Sequence, residues 1–266
     1  MLNNTMFAEY SKAFAVQRRS LEALCLREVM AKKGKLKIGY LWEFIKLAFG
    51  VGVFLAIRTF FGVKDPPGMP LMIFLLVGFV AWGIFSESVN KAVVTVKSNK
   101  AILGYPQVTQ LDLHMAGTVV TWVTQVLMMI MFGSAIYLAG YKFVIQDSIT
   151  FFWAFIGFGA FTLGVATIVA ALKAYFPIVE NLTPMIMRIL FFTSGVFFSP
   201  SLFSKYVGDA LMWSPIVCYI ELIRGTFTSN TPAMDAKVSY LVSVTFATLF
   251  FGLLLERHVR KITEQL

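Results

Sequence analysis

Charge is what this sequence has least of: Asp, Glu, Lys and Arg make up 14% of 266 residues, against about 25% in a soluble domain. A surface built for water on all sides is therefore excluded. Cysteine is confined to Cys25 and Cys218, whose spacing suggests neither a disulfide framework nor a metal site. Histidine is confined to His114 and His258, too few and too scattered for a catalytic or metal cluster. The chain contains no G-x-x-x-x-G-K-[ST] nucleotide loop, no H-E-x-x-H and no G-x-S-x-G. The first 35 residues hold no compact apolar run followed by a small-residue cleavage site, so no removable signal peptide is expected.

Apolar residues fill the space that charge leaves. They make up 58% of the chain, with 27 Phe, 9 Tyr and 5 Trp among them. A membrane span needs about 20 mostly apolar residues. Segments of that kind run over Tyr40–Gly62, Pro70–Val89, Leu113–Gly140, Thr150–Leu172, Asn181–Phe203 and Val238–Leu255. The stretch Tyr206–Phe227 is apolar only in parts, because it holds Asp209, Pro215, Glu221 and Arg224. These residues are costly against lipid and tolerable when buried in protein or lining a cavity.

The distribution of the +9 net charge argues against nucleic acid and decides the topology. Lys12, Arg18, Arg19, Arg27, Lys32, Lys33, Lys35 and Lys37 precede the first span, and Arg257, Arg260 and Lys261 follow the last. Lys91, Lys97, Lys100 and Lys173 fall in loops on that same side. The opposite side holds only Lys64, Lys142, Lys205, Arg224 and Lys237. The positive-inside rule puts both ends in the cytoplasm, which requires an even number of crossings. Six crossings fit, with Tyr206–Phe227 re-entrant or interfacial. Cys25 and Cys218 then lie on opposite sides of the membrane.

Ser11–Lys33 reads as a helix without Gly or Pro, with Arg18/Glu22 and Glu28/Lys32 at i,i+4 spacing. Phe14, Leu21, Leu24, Cys25 and Val29 share an arc, which suits a basic helix in the headgroup region or a solvated one. Gly34 closes it. Glu43, Glu87, Asp112, Glu180, Glu221 and Glu256 stand singly, mostly at span ends, as capping or snorkelling groups rather than a catalytic set. Arg58 can snorkel from the outer end of the first span. Arg188 is deeper, where a cation faces a protein partner or a water-filled path; an anionic polymer would be attracted there. Trp213 and Tyr219 offer faces on which sugar rings can slide, or they anchor a re-entrant hairpin.

The order of several short motifs resembles the permease subunits of ABC-2 type transporters, and within them the capsular polysaccharide export permeases. Leu21-Glu22-Ala23-Leu24-Cys25-Leu26-Arg27-Glu28-Val29, followed by Gly39-Tyr40-Leu41-Trp42, looks like that family's amino-terminal interface helix entering span one. Asn99-Lys100-Ala101-Ile102-Leu103-Gly104-Tyr105-Pro106 looks like its coupling loop. Phe176-Pro177 and Pro184 match the turn into span five, and Phe197-Phe198-Ser199-Pro200 its end. Trp213-Ser214-Pro215-Ile216, followed by Glu221-Leu222 and Arg224, resembles the re-entrant outer segment. Lys46-Leu47 replaces the family's glutamate–proline pair, and Ser214 replaces an asparagine.

The resemblance implies an all-α polytopic fold of six transmembrane helices, with an interface helix over 11–33 and a re-entrant segment over 206–227. It implies a homodimeric permease of the Gram-negative inner membrane that moves a lipid-linked anionic polysaccharide. O-antigen, teichoic acid or lipid as cargo, and a glycolipid transferase, are the alternatives. ATP and Mg would be bound by two separate ATPase subunits, with no cofactor on this chain. A periplasmic co-polymerase or adaptor and an outer-membrane export protein would continue the path. ATPase coupling would fall to Arg27, Glu28, Asn99, Lys100, Leu103, Tyr105, Pro106, Phe176 and Pro177. The substrate path would involve Lys46, Arg58, Arg188, Trp213 and Tyr219, and an outer gate Pro215, Glu221 and Arg224.

Overall fold

Local signals in the sequence set the helix ends. Thr109 caps one helix through its hydroxyl and receives Asp112 in return, a complete capping box. Asp147 caps the next by accepting from the Thr150 amide at 3.0 Å, and Pro215 opens another at its first turn. A computed structural model describes residues 2–34, 39–62, 69–98, 108–227 and 235–263.

Among these residues the chain forms α1 (Leu2–Gly34), α2 (Gly39–Phe60), α3 (Leu71–Ser98), α4 (Gln110–Leu138) and α5 (Ser148–Tyr175). There follow α6 (Val179–Thr193), a single 3₁₀ turn (Pro200–Leu202), α7 (Lys205–Leu211), α8 (Pro215–Gly225) and α9 (Asp235–Thr263). The fold is all-helical. α2, α3, α4, α5 and α9 are each long and apolar enough to cross a membrane, whereas α7 and α8 are bent by 102° at their junction.

α3 is the axis of the bundle: Leu75, Val77, Val80, Ala81, Ile84 and Val89 are fully buried. α2 and α9 are peripheral, with Phe49, Phe60, Phe246 and Phe250 exposed. α5 and α9 approach most closely at glycines. A Cβ on Gly164 would meet the Thr248 and Leu249 backbone at 2.8 Å, and one on Gly252 would meet the Gly164 carbonyl at 3.0 Å. Small residues at such a crossing let two backbones approach in a medium that offers no hydrophobic drive.

Contacts fix the direction of each helix. The end carrying α1 is called the near end here. Lys173 at the end of α5 bonds the Val93 carbonyl at 2.8 Å and pairs with Glu180 at 3.2 Å, so α6 starts at the near end. Seventeen residues after Glu180, the Phe197 carbonyl accepts from Arg58 at the far end of α2. The chain therefore makes its fifth traverse over 179–197. α7 and α8 begin at that far end, and they return to it, because the Thr226 carbonyl accepts from Gln146 and Asp147 on the far-end connection. α9 then descends until His258 stacks on Tyr175 at the near end. The bent pair thus starts and ends at the far end, and both chain ends described lie at the near end.

Several boundaries differ from those expected from the sequence. α3 runs to Ser98 rather than stopping at Val89; past Val89, Lys91 bonds Thr121 of α4, while Asn90 and Thr95 bond carbonyls of their own helix. The run 181–203 is not one helix: α6 ends at Thr193, and Gly195 turns the chain with φ +76°, a conformation that disfavours any side chain. Pro184, expected in the turn before span five, lies inside α6. The helix expected over 11–33 extends from Leu2 to Gly34.

Candidate functional site

At the far end, a broken strand of backbone is held by two arginines. With only 15 residues, α6 spans about 22 Å, short of a hydrocarbon core of about 30 Å. The chain completes the traverse as irregular backbone, which lipid would not tolerate without partners. Arg224, only 4% exposed, donates to the carbonyls of Gly195 (2.7 Å), Val196 (2.7 Å) and Phe198 (3.3 Å). Arg58 donates to the remaining carbonyl of that run, Phe197, at 2.6 Å.

Arg224 also reaches the Phe74 carbonyl of α3 at 3.1 Å and covers the Phe74 ring at 3.4 Å. Its counter-charge is Glu221, one turn earlier on α8 at 2.9 Å, which in turn accepts from Ser199. α3 leaves room at Gly78, where a Cβ would lie 2.7 Å from the Arg224 guanidinium and 2.8 Å from the Val196 carbonyl. Phe54 stacks on Phe197 at 3.9 Å and closes the other side. Glu221 and Arg224 were legible in the sequence. Gly78 and the carbonyl acceptors were not, because a glycine within an apolar run has no distinguishing neighbours.

At the near end, a charged cluster joins α1 to the bundle. Gln17 donates to Asp112 at 3.0 Å. Fifteen residues on, Lys32 meets Thr124 at 3.5 Å and Glu87 at 3.9 Å. α1 therefore runs alongside α4, with Leu24 buried against Leu113 and Ala116. Lys91 donates to Thr121 at 2.9 Å, and Gln125 to Glu87 at 3.4 Å. Among the coupling residues, Arg27 pairs with Glu28 at 3.4 Å, both partly exposed. Phe176 and Pro177 form an exposed turn at the same end. Asn99, Lys100, Leu103, Tyr105 and Pro106 lie outside the described residues.

The expected path residues do not converge within one chain. Lys46 is half-exposed and pairs with Glu43 at 2.9 Å. Arg188 is exposed on α6 beside Met185, Ile189 and Phe192, about 12 Å along the helix from Glu180 and hence near mid-depth. Trp213 is 75% exposed, and its carbonyl accepts from Tyr240 at 2.5 Å. Tyr219 faces away from any open path: it is 4% exposed, packs on Phe158 and shares a 2.6 Å hydrogen bond with Thr245. Its position on the buried face of α8 corrects the expectation of a sugar-stacking role. Cys25 and Cys218 are both free thiols.

No family model matches the chain. Among known proteins it is similar to the polysialic acid transport protein KpsM of Escherichia coli, with 27% identity over 244 residues. That match covers 92% of this chain and 95% of the relative. It is also similar to the capsule polysaccharide export inner-membrane protein BexB of Haemophilus influenzae, with 20% identity over 95% of both chains. The capsule polysaccharide export inner-membrane protein CtrC of Neisseria meningitidis is 21% identical over 95% of this chain and 94% of its own. The likeness runs nearly end to end and agrees with the resemblance carried by the short motifs.

Proposed function

We propose that this chain is a KpsM-like permease subunit of a bacterial capsule polysaccharide exporter, embedded in the inner membrane. The observation that carries this reading is the end-to-end likeness to inner-membrane proteins of capsule export in a chain built as a polytopic helical bundle. The near end is the cytoplasmic end in this reading, in keeping with the cations of α1 and of the α9 terminus.

The motor is a separate pair of ATPase subunits, since the chain has no phosphate-cradling loop of its own. They dock on two near-end elements, α1 around Arg27 and Glu28 and the Phe176–Pro177 turn, and on the 99–106 segment, which lies outside the described residues. Two copies of the permease enclose the path. The exposed face of α6 supports that arrangement, because Arg188 there makes no hydrogen bond or ion pair with the described residues of its own chain. A cation at mid-depth needs water, a partner or an anionic cargo. Lys46 offers a second cation at the near-end entrance. The cargo is a lipid-linked anionic polysaccharide, handed on to a periplasmic adaptor and an outer-membrane export protein.

Deleting the gene tests the function directly. Surface polysaccharide is expected to disappear while polymer accumulates inside the cell; retention of wild-type surface polymer would refute the reading. In the complemented strain, Arg188→Ala is expected to insert normally and impair export. Full export by that variant would remove Arg188 from the path.

A further inference from the structure

Among the described residues, an apolar cavity of about 370 Å³ lies between α3, α4, α5 and the connection after α4. Leu76, Trp122, Gly133, Phe143, Phe155 and Phe227 are among the side chains that line it. Its volume lies within the range of ligand pockets, about 300–1,000 Å³. The cavity is half-enclosed, and its rim includes Ile130 and Phe152, both over 60% exposed on the outside of the bundle.

Its chemistry admits only an apolar occupant. The Ser134 hydroxyl donates to the Met131 carbonyl at 2.8 Å, and the Trp122 indole N–H donates to the Phe155 carbonyl at 3.1 Å. Both donors are thus occupied and only the Ser134 oxygen can still accept, too little to hold a water that needs about 2–4 polar partners, so the cavity stays dry. An unfilled cavity forfeits the dispersion contacts of its walls. The lining of α4 extends from Trp122 to Ser134, about 18 Å along the helix. That length is close to one leaflet of a hydrocarbon core of about 30 Å. The far-end connection that supplies Phe143 also carries Lys142, exposed next to it in sequence, at the level where a headgroup phosphate would sit. Asp147, the other charge on this connection, is occupied as the cap of α5.

We propose that this cavity binds one acyl chain of a bilayer phospholipid from the far leaflet. The inference rests on membrane placement alone and is independent of what is exported. Phe227 lies two residues past the end of α8, and the intervening Thr226 bonds the far-end connection. The lipid chain therefore packs against the end of the re-entrant segment and supplies contacts that the protein lacks there.

Photolabelling tests it. The full chain is reconstituted in phosphatidylethanolamine–phosphatidylglycerol vesicles that contain a phospholipid with a mid-chain diazirine. After illumination, adducts are mapped by mass spectrometry. Phe250, exposed on α9, reports bulk lipid, while Phe155 and Leu76, both nearly fully buried, report the cavity. Adducts on all three are expected. In Gly133→Leu, whose added Cβ meets only Phe143 at 3.8 Å, the Phe155 and Leu76 adducts are expected to be lost and the Phe250 adduct kept. If that variant does not insert, Ile130→Trp at the rim serves as the plug. Wild-type labelling of Phe250 without Phe155 or Leu76, as a protein helix seated in the cavity would produce, overturns the proposal. Cavity adducts that persist in an inserted plugged variant overturn it equally.

Discussion

Arg224 shows how one side chain lets the backbone leave its helix within the bundle. Three carbonyls between 195 and 198 depend on it, together with the Phe74 carbonyl and the charge of Glu221. Arg224→Met is expected to lower stability by about 3–5 kcal/mol, the range for breaking a buried charge pair. Arg58→Met frees a single carbonyl and should cost about 1–3 kcal/mol. Thermal unfolding of the purified proteins in detergent checks the order; equal losses would contradict it. Asp147 offers a pH test outside the membrane. Hydrogen bonds from Thr150, side chain before backbone, hold its carboxyl below the usual value. A carboxyl depressed on folding contributes stability above its unfolded pKa and loses it as pH falls through the folded one. Protection of the Thr150 amide, taken relative to its intrinsic base-catalysed exchange rate, should therefore fall on acidification below the usual carboxylate range. The Asp147→Asn variant should show no such step.

Among the helices, α5 and α9 bring their backbones together at Gly164 and Gly252. Gly164→Ala places a methyl 2.8 Å from the Thr248 and Leu249 backbone, where no rotamer can relieve the overlap. A loss of about 1–3 kcal/mol is expected from overpacking. Gly52→Ala on α2 is the control, since nothing lies within 4 Å of its added methyl; it should be neutral or stabilising by up to about 1 kcal/mol. Melting temperatures that move together would discount the packing argument. Most helices were legible because apolar runs of the required length are bounded by charge. The break after α6 was not, since Val196, Phe197 and Phe198 continue the apolar run and only Gly195 marks the turn. The partners of Arg224 were hidden for a related reason: backbone carbonyls have no sequence signature. Tyr219 could be read as a sugar platform or as an anchor of the hairpin, because its segment mixes apolar and charged residues; only the fold shows that the α8 face it occupies is buried.

For the whole molecule, the central issue is which segment makes the sixth crossing. Length and composition nominate five helices and leave a choice between the short α6 and the bent α7–α8 pair. The contacts favour α6, since Arg58 and Phe197 meet at the far end while Lys173 and Glu180 pair at the near end. The alternative, with α7–α8 crossing instead, would put Leu202 on the same side as Phe176. Impermeant maleimide labelling of single cysteines separates the two arrangements, with Cys25 replaced by Ser and Cys218 left buried at 2% exposure. Leu202→Cys, on a residue 66% exposed, should label from the same side as Lys142→Cys. Phe176→Cys, 60% exposed in the native chain, should label only from the opposite side. If Leu202→Cys and Phe176→Cys label together, the fifth traverse is lost and α7–α8 becomes a broken span. A matched response of Leu202→Cys and Lys142→Cys leaves α7–α8 as a re-entrant element hung from Arg224, with both chain ends on the side where the ATPases are proposed to dock.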